Sequence, residues 1–137
     1  MTKMRVPKID LPAEYAGLRE EVRAALERVF AAQRFILGPE GEALEREIAT
    51  YCGTKHAIGC ASGSDALLLC LLAQEVKAED EVITVPFTFF ATAGAVARLG
   101  ARARFVDIAP RTFNLDPRAL AQLLTALPGA ERRRIRV

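Results

Sequence analysis

The sequence contains no tryptophan, one histidine (His56), two tyrosines and three cysteines in 137 residues. A lone histidine excludes a zinc site built on several imidazoles. The cysteines, Cys52, Cys60 and Cys70, are odd in number and form no CxxC pair. They fit neither a disulfide framework nor a zinc ribbon. They are expected to be reduced, buried thiols acting as small hydrophobes, and no metal is expected. No apolar run approaches the ~20 residues that span a bilayer. Residues 1–10 are mixed and charged, without the apolar centre of a signal peptide. The expectation is a cytoplasmic protein without a membrane partner.

Charge of one sign is also scarce. The net charge is +2, and Arg132, Arg133, Arg134 and Arg136 hold the basic excess. The chain before them is close to neutral, so no basic face is present and no nucleic-acid partner is expected. The arginine cluster reads as a solvated loop before a strand. Neither GxGxxG nor GxxxxGK[ST] occurs, which argues against dinucleotide and P-loop sites. There are only four lysines, Lys3, Lys8, Lys55 and Lys77. Lys3 and Lys8 lie in the polar lead, Lys77 in a turn, and Lys55 before the first strand. None is placed as a Schiff-base lysine, which must be desolvated beside its carbonyl partner. No Ser-His-Asp set and no close acid pair stands out.

What is present is ordinary for a folded domain: 51% apolar and 26% charged residues. Leu18, Val22, Leu26, Val29 and Phe30 form one helical stripe, expected to face a core. That helix should stop near Gly38-Pro39. A second helix carries Leu44, Ile48 and Tyr51, with Glu40, Glu42 and Glu45 towards its positive end and Gly53 as its stop. These two helices form either an arm or an oligomer contact. Short apolar strands then follow at residues 56–60, 82–85 and 104–108. Between and after them come helices at 66–73, 90–99 (closed by Gly100) and from Asp116-Pro117, where Asp caps and Pro opens the helix. The 66–73 helix is apolar all round and is expected to be buried; the last helix should face the core with Leu120, Leu123, Leu124 and Leu127. Ile135-Arg136-Val137 begins another strand. Strands alternating with helices predict an α/β fold: a helical arm, then part of a mostly parallel sheet with helices on both faces. A sheet ending there leaves an unpaired apolar edge, so the chain is expected to be a fragment.

Two segments offer chemistry. Ala61-Ser62-Gly63-Ser64-Asp65-Ala66 lies between a strand and a helix, where free N–H groups and the helix dipole attract an anion such as phosphate. Gly63 permits close backbone approach, and Ser64 adds a hydroxyl. The alternative is that Ser62 or Ser64 merely caps the helix. The second segment, Pro86-Phe87-Thr88-Phe89-Phe90-Ala91-Thr92, follows a strand, and ligands of open α/β sheets sit at strand carboxyl ends. Its aromatics either include one that stacks on a flat heterocycle or all pack in the core. Asp107 is a ligand contact or a loop cap.

Phe35-Ile36-Leu37-Gly38-Pro39-Glu40, Lys55-His56-Ala57, Ala61-Ser62-Gly63-Ser64-Asp65-Ala66-Leu67, Asp80-Glu81-Val82-Ile83, the Pro86 segment and Phe105-Val106-Asp107-Ile108 occur in that order. In this the sequence resembles the DegT/StrS sugar aminotransferases, fold-type I pyridoxal-phosphate (PLP) enzymes. The resemblance implies an N-terminal arm over 1–53 and the first half of the PLP-binding large domain over 54–137. It implies that Ser64, with Gly63 beside it and the backbone N–H groups of Ser64 and Asp65, holds the cofactor phosphate, and that Phe89 stacks on the pyridine. Phe35, Ile36, Leu37 and Gly38 are implied near the substrate entrance. It further implies a nucleotide-linked keto-deoxysugar as substrate, an amino donor such as glutamate, and a homodimer. In the family pattern the Schiff-base lysine and the acid facing the pyridine nitrogen lie beyond Val137, so this chain is not expected to transaminate alone. Relatives with histidine in place of that lysine are sugar dehydratases, which stays an alternative. So does a non-catalytic module that binds phosphate or docks on a full-length paralogue, and so does a phosphate-binding α/β domain unrelated to PLP.

Overall fold

The computed structural model describes residues 8–129 and 134–136. Lys3 and the rest of the lead through residue 7, most of the arginine cluster (Arg132, Arg133 and the side chain of Arg136) and Val137 lie outside the described residues. The chain divides into two compact units, Met1–Gly59 and Cys60–Val137.

The first unit is helical. Helix α1 spans Leu11–Ala32; the Asp10 carboxylate accepts the Ala13 N–H, and Pro12 sits in the first turn. It ends at Gln33 in a left-handed conformation, earlier than the Gly-Pro signal suggested. Helix α2 spans Pro39–Cys52 and stops at Gly53 as expected. Arg28 Nε donates to Glu40 Oε1 at 3.0 Å, tying α1 to α2. The Leu18, Val22, Leu26 and Phe30 stripe was expected to face a core, but these side chains are exposed, as are Leu44, Ile48 and Tyr51. An apolar stripe is covered only if another element lies on it, and among the described residues of this unit only Ala49 of α2 is buried. Residues 56–60, expected as a strand, have no ladder. Glu45 Oε1 accepts the Gly59 N–H at 2.6 Å, and Ile58 remains 83% exposed. Without a paired neighbour among the described residues the segment forms no strand.

The second unit is α/β. Helix α3 (Gly63–Ala73) leads through a turn to strand β1 (Glu81–Thr84), helix α4 (Phe90–Arg98), strand β2 (Arg102–Phe105), helix α5 (Pro117–Ala126) and strand β3 (Ile135–Arg136). The strands are parallel in the order β2-β1-β3, with Val82 of β1 opposite Ala103 and Arg136. Parallel neighbours need a crossover between them, and α4 is the crossover from β1 to β2. Val76, Val82, Val96 and Ala101 form the core, with Leu71, Leu99 and Ala103 against it. Gly100 closes α4 at φ +74, a conformation suited to glycine, and a Cβ there would press on Ala78. Helix α5 is capped by Asp116 with Pro117 in its first turn. Leu120, Leu123 and Leu124 are half-buried and Leu127 is buried, as the leucine periodicity predicts.

Three expectations need correction here. Strand β2 begins earlier than 104–108, where Arg102 pairs Glu81, and ends earlier because its partner stops: Val106 N–H reaches the Thr84 carbonyl, but Pro86 has no N–H for the next rung. Ile108 instead forms an antiparallel bridge to Leu115. Helix α3 is apolar but has no buried residue, since it packs chiefly on α4 and leaves Leu67, Leu69 and Leu72 to solvent. The three cysteines are free as expected, but exposed rather than buried. No helix among the described residues is long and apolar enough to cross a membrane.

Glu81 joins the strands at the amino end of the sheet. Its carboxylate accepts from Arg104 Nη2 at 3.0 Å and also from Arg104 Nε, and Arg102 Nη1 lies 3.5 Å away. The hydrogen bonds from Arg104 hold the Glu81 carboxyl below its ordinary range, against burial that pushes it up. A depressed carboxyl contributes stability at neutral pH that is lost as pH falls through the folded-state value. Glu81→Gln is therefore expected to lower the urea midpoint at pH 7 by the equivalent of about 1–2 kcal/mol. The difference from the unmodified chain should shrink as pH falls below 4, roughly the ordinary carboxylate range. A difference independent of pH would refute the pairing.

Candidate functional site

The loop after β1 leaves the carboxyl end of the central strand. The chain crosses from β1 to β2 on one side and returns to pair β3 on the other, and such a reversal of strand order is where open α/β sheets bind ligands. The structure separates the three aromatics of this loop. The Phe87 ring packs on Phe113, with centroids 5.7 Å apart. The Phe90 ring lies over Gly94, where a Cβ would stand 3.2 Å from Phe90 Cε1. Phe89 occupies the N-cap of α4, is 77% exposed, and has no ring partner among the described residues. All three are exposed, so none is a core residue of this unit. The Thr88 and Thr92 hydroxyls lie 2.9 Å apart and tie the loop to the first turn of α4.

At the start of α3, Ser62 is the cap. Its Oγ accepts the Asp65 N–H at 3.1 Å and donates to Asp65 Oδ2 at 3.0 Å. Its carbonyl accepts the Ala66 N–H at 2.9 Å. The Asp65 amide, implied as a phosphate ligand, is thus engaged in the cap. The N–H groups of Gly63 and Ser64 and the Ser64 hydroxyl meet no acceptor among the described residues. A Cβ built on Gly63 meets nothing within 4 Å, so the space over this helix end is open. The cap and the anion site are therefore not alternatives: Ser62 caps, and two amides and a hydroxyl stay available.

Ser64 and Phe89 line one open cleft of about 560 Å³, together with Phe90, Ala91, Gly94 and Arg98 along α4. Most of this lining is apolar, with Ser64 at its helix-dipole end, a setting suited to a flat ring bearing an anionic group. Arg98 had no signal in the sequence: it stands 33 residues from Asp65, yet its Nη1 lies 3.3 Å from Asp65 Oδ1. Among the described residues no lysine lines this cleft. Asp107 acts as a loop cap, with its Oδ1 accepting the Ile108 N–H at 2.8 Å and its carbonyl accepting the Asp116 N–H at 3.0 Å.

The loop of Phe35, Ile36, Leu37 and Gly38 belongs to the first unit. Phe35 packs edge-on against Phe30, with centroids 6.2 Å apart. Leu37 adopts φ 47, a left-handed conformation that costs a side-chain-bearing residue about 1–2 kcal/mol. Arg34 Nη2 donates to its carbonyl at 3.4 Å. At Gly38 a Cβ would collide with the Arg34 carbonyl, so only glycine permits this close approach. The loop is thereby held with Ile36 and Leu37 almost fully exposed.

The cap generates a direct prediction. Ser62→Ala removes both hydrogen bonds between Ser62 Oγ and Asp65 in the first turn of α3 and is expected to cost about 1 kcal/mol, measured by urea unfolding. Ser64→Ala, which removes no cap, should leave the midpoint within about 0.5 kcal/mol. A larger loss for Ser64→Ala would reassign the cap.

Comparison with known proteins bears on the same elements. The family model for DegT/DnrJ/EryC1/StrS aminotransferases matches residues 17–130. A pleiotropic regulatory protein of Geobacillus stearothermophilus is 49% identical over 89% of this chain and 33% of its own length. The UDP-2-acetamido-2-deoxy-3-oxo-D-glucuronate aminotransferase of Pseudomonas aeruginosa is 45% identical over 85% of this chain and 33% of its own. The crystal structure of S. venezuelae DesV superposes with a TM-score of 0.86 at 40% identity, covering 98% of this chain and 34% of that one. The chain thus spans about a third of the length of the curated relatives it matches. With the family model spanning both units and the parallel sheet superposing on a solved relative, the chain belongs to the DegT/DnrJ/EryC1/StrS aminotransferase family.

Proposed function

We propose that this chain is the part of a nucleotide-sugar aminotransferase that grips pyridoxal phosphate by its phosphate and by one face of its ring. The observation that carries the reading is the shared cleft: Ser64 and Phe89, from separate sequence motifs, line it together. The residues fit the group. The Gly63 and Ser64 N–H groups and the Ser64 hydroxyl meet no acceptor among the described residues, and the space over Gly63 is open. Phe89 presents a largely exposed ring.

When bound, pyridoxal phosphate supplies the electron sink that lets an amino group pass between donor and acceptor. The chain's own part is binding and orientation. Ser64 and the two free amides hold the phosphate at the positive end of α3. Ser62 keeps the Asp65 amide in the cap and so keeps the first turn in register. Phe89 covers one ring face and excludes water from it. The loop of Phe35, Ile36, Leu37 and Gly38 is the loop near the substrate entrance. In the family pattern the Schiff-base lysine and the acid facing the pyridine nitrogen come from outside these residues, and among the described residues no lysine lines the cleft. The acceptor is a keto sugar on a nucleotide, the donor an amino acid such as glutamate, and the working form a cytoplasmic homodimer. Support for this substrate class comes from relatives such as the P. aeruginosa enzyme, whose name specifies a UDP-linked 3-oxo sugar acid.

Pyridoxamine 5′-phosphate is the appropriate probe, because it has no aldehyde for surface lysines to capture. Equilibrium dialysis of the whole chain is expected to show binding of pyridoxamine 5′-phosphate and at least about tenfold weaker binding of pyridoxamine, as a charge-assisted phosphate contact implies. Ser64→Asp should abolish the difference, and Phe89→Ala should weaken both ligands by a similar factor. Equal affinity for the two probes would overturn the reading. So would transamination by this chain alone, which requires a lysine that the reading places elsewhere.

A further inference from the structure

The first turn of α3 carries a charge that opposes the ligand assigned to it. Asp65 directly follows Ser64, and a carboxylate there stabilises the helix dipole but repels a bound anion. Both carboxylate oxygens are engaged: Oδ2 accepts from Ser62 Oγ at 3.0 Å and Oδ1 from Arg98 Nη1 at 3.3 Å. Arg98 ends α4 and lines the same cleft as Ser64. A ligand at Ser64 therefore meets a neutral carboxylate–guanidinium pair rather than a bare carboxylate.

We propose that Arg98 is a positioning residue that sets the anion affinity of the α3 N-terminus by neutralising and holding Asp65. The inference rests on the phosphate-binding reading of this cleft. It concerns charge rather than stability, because the pair is half-exposed, with side-chain exposures of 56% and 39%, and exposed pairs add little to folding free energy. The span of the contact also matters. It joins the last residue of the helix that Phe89 caps to the first turn of the helix that bears Ser64, so it links the ring-binding and phosphate-binding elements.

Charge compensation and a merely structural link make opposite predictions for Asp65→Asn and differ in whether pyridoxamine is affected. Under compensation, Arg98→Ala exposes the carboxylate and weakens pyridoxamine 5′-phosphate binding by about fivefold at low salt. Asp65→Asn frees the guanidinium for the ligand and strengthens binding by a similar factor. Arg98→Lys restores most of the affinity. Pyridoxamine, which has no phosphate, is unaffected by all three, and the effects shrink at 0.5 M salt, where screening is strong at roughly 4 Å. Under a structural role, both single variants weaken binding, and they weaken both ligands. Equilibrium dialysis of the four proteins, with helix content checked by circular dichroism, distinguishes the two. Shifts of the same sign, or no shift for Arg98→Ala, overturn the proposal while leaving the phosphate site standing. If the unmodified chain does not prefer the phosphorylated probe, the site reading fails and this inference falls with it.

Discussion

The parallel pairing of β1 on both edges is the constraint from which the second unit follows. Val82 and Ile83 are buried in this strand, and its backbone is engaged by β2 on one side and β3 on the other. A parallel partner cannot be reached by a tight turn. The chain must therefore leave β1 at its carboxyl end, cross through α4, and return at the amino end of β2. That requirement places the loop from Pro86 to Phe89 at the ligand side of the sheet and makes Phe89 the cap of the crossover helix. Val96 of α4, at 2% exposure, closes the core. Helix α3 then has α4, not the sheet, as its chief packing partner, and this sets Ser64 on the same cleft as Phe89.

The site itself is a division of labour among polar groups at one helix end. Four N–H groups at a helix start lack intrahelical partners. Here the cap consumes one through Ser62, and the Gly63 and Ser64 amides remain. A helix end with every donor satisfied internally has nothing to offer an anion, and one with none satisfied frays. The arrangement at Ser62, Ser64 and Asp65 lies between those limits, and the Asp65–Arg98 pair brings its local charge close to neutral.

The core is small and the apolar surface is large. Four residues form the central cluster, while Ile36, Leu37, Tyr51, Ile58 and Phe90 are each more than 80% exposed. Isolated exposed apolar residues are normal, but extended stretches mark surfaces that other chain or ligand can cover. The same chain spans about a third of the length of its relatives. The exposed stripe of α1 and the all-apolar helix α3 are places where the helix was read correctly and its burial was not; at 56–60 the expected strand itself is absent.

Local rules made much of this molecule legible in the sequence. The caps at Asp116 and Ser62, the stop at Gly53, the β-branched run of β1 and the leucine face of α5 each depend on residues within one or two turns, so their signals are written locally. Ser64 was legible as a candidate for the same reason, as a residue at a helix start; the segment after β1 offered three aromatics, and Phe89 was singled out among them by the family resemblance. Tertiary structure alone decided three things. It shortened β2, because the rung after Val106 needs an N–H that Pro86 lacks. It sorted the aromatics, because only packing distinguishes Phe87 on Phe113 from the free ring of Phe89. It brought Arg98 to Asp65, because an ion pair across 33 positions depends on how two helices cross, and no local periodicity encodes that.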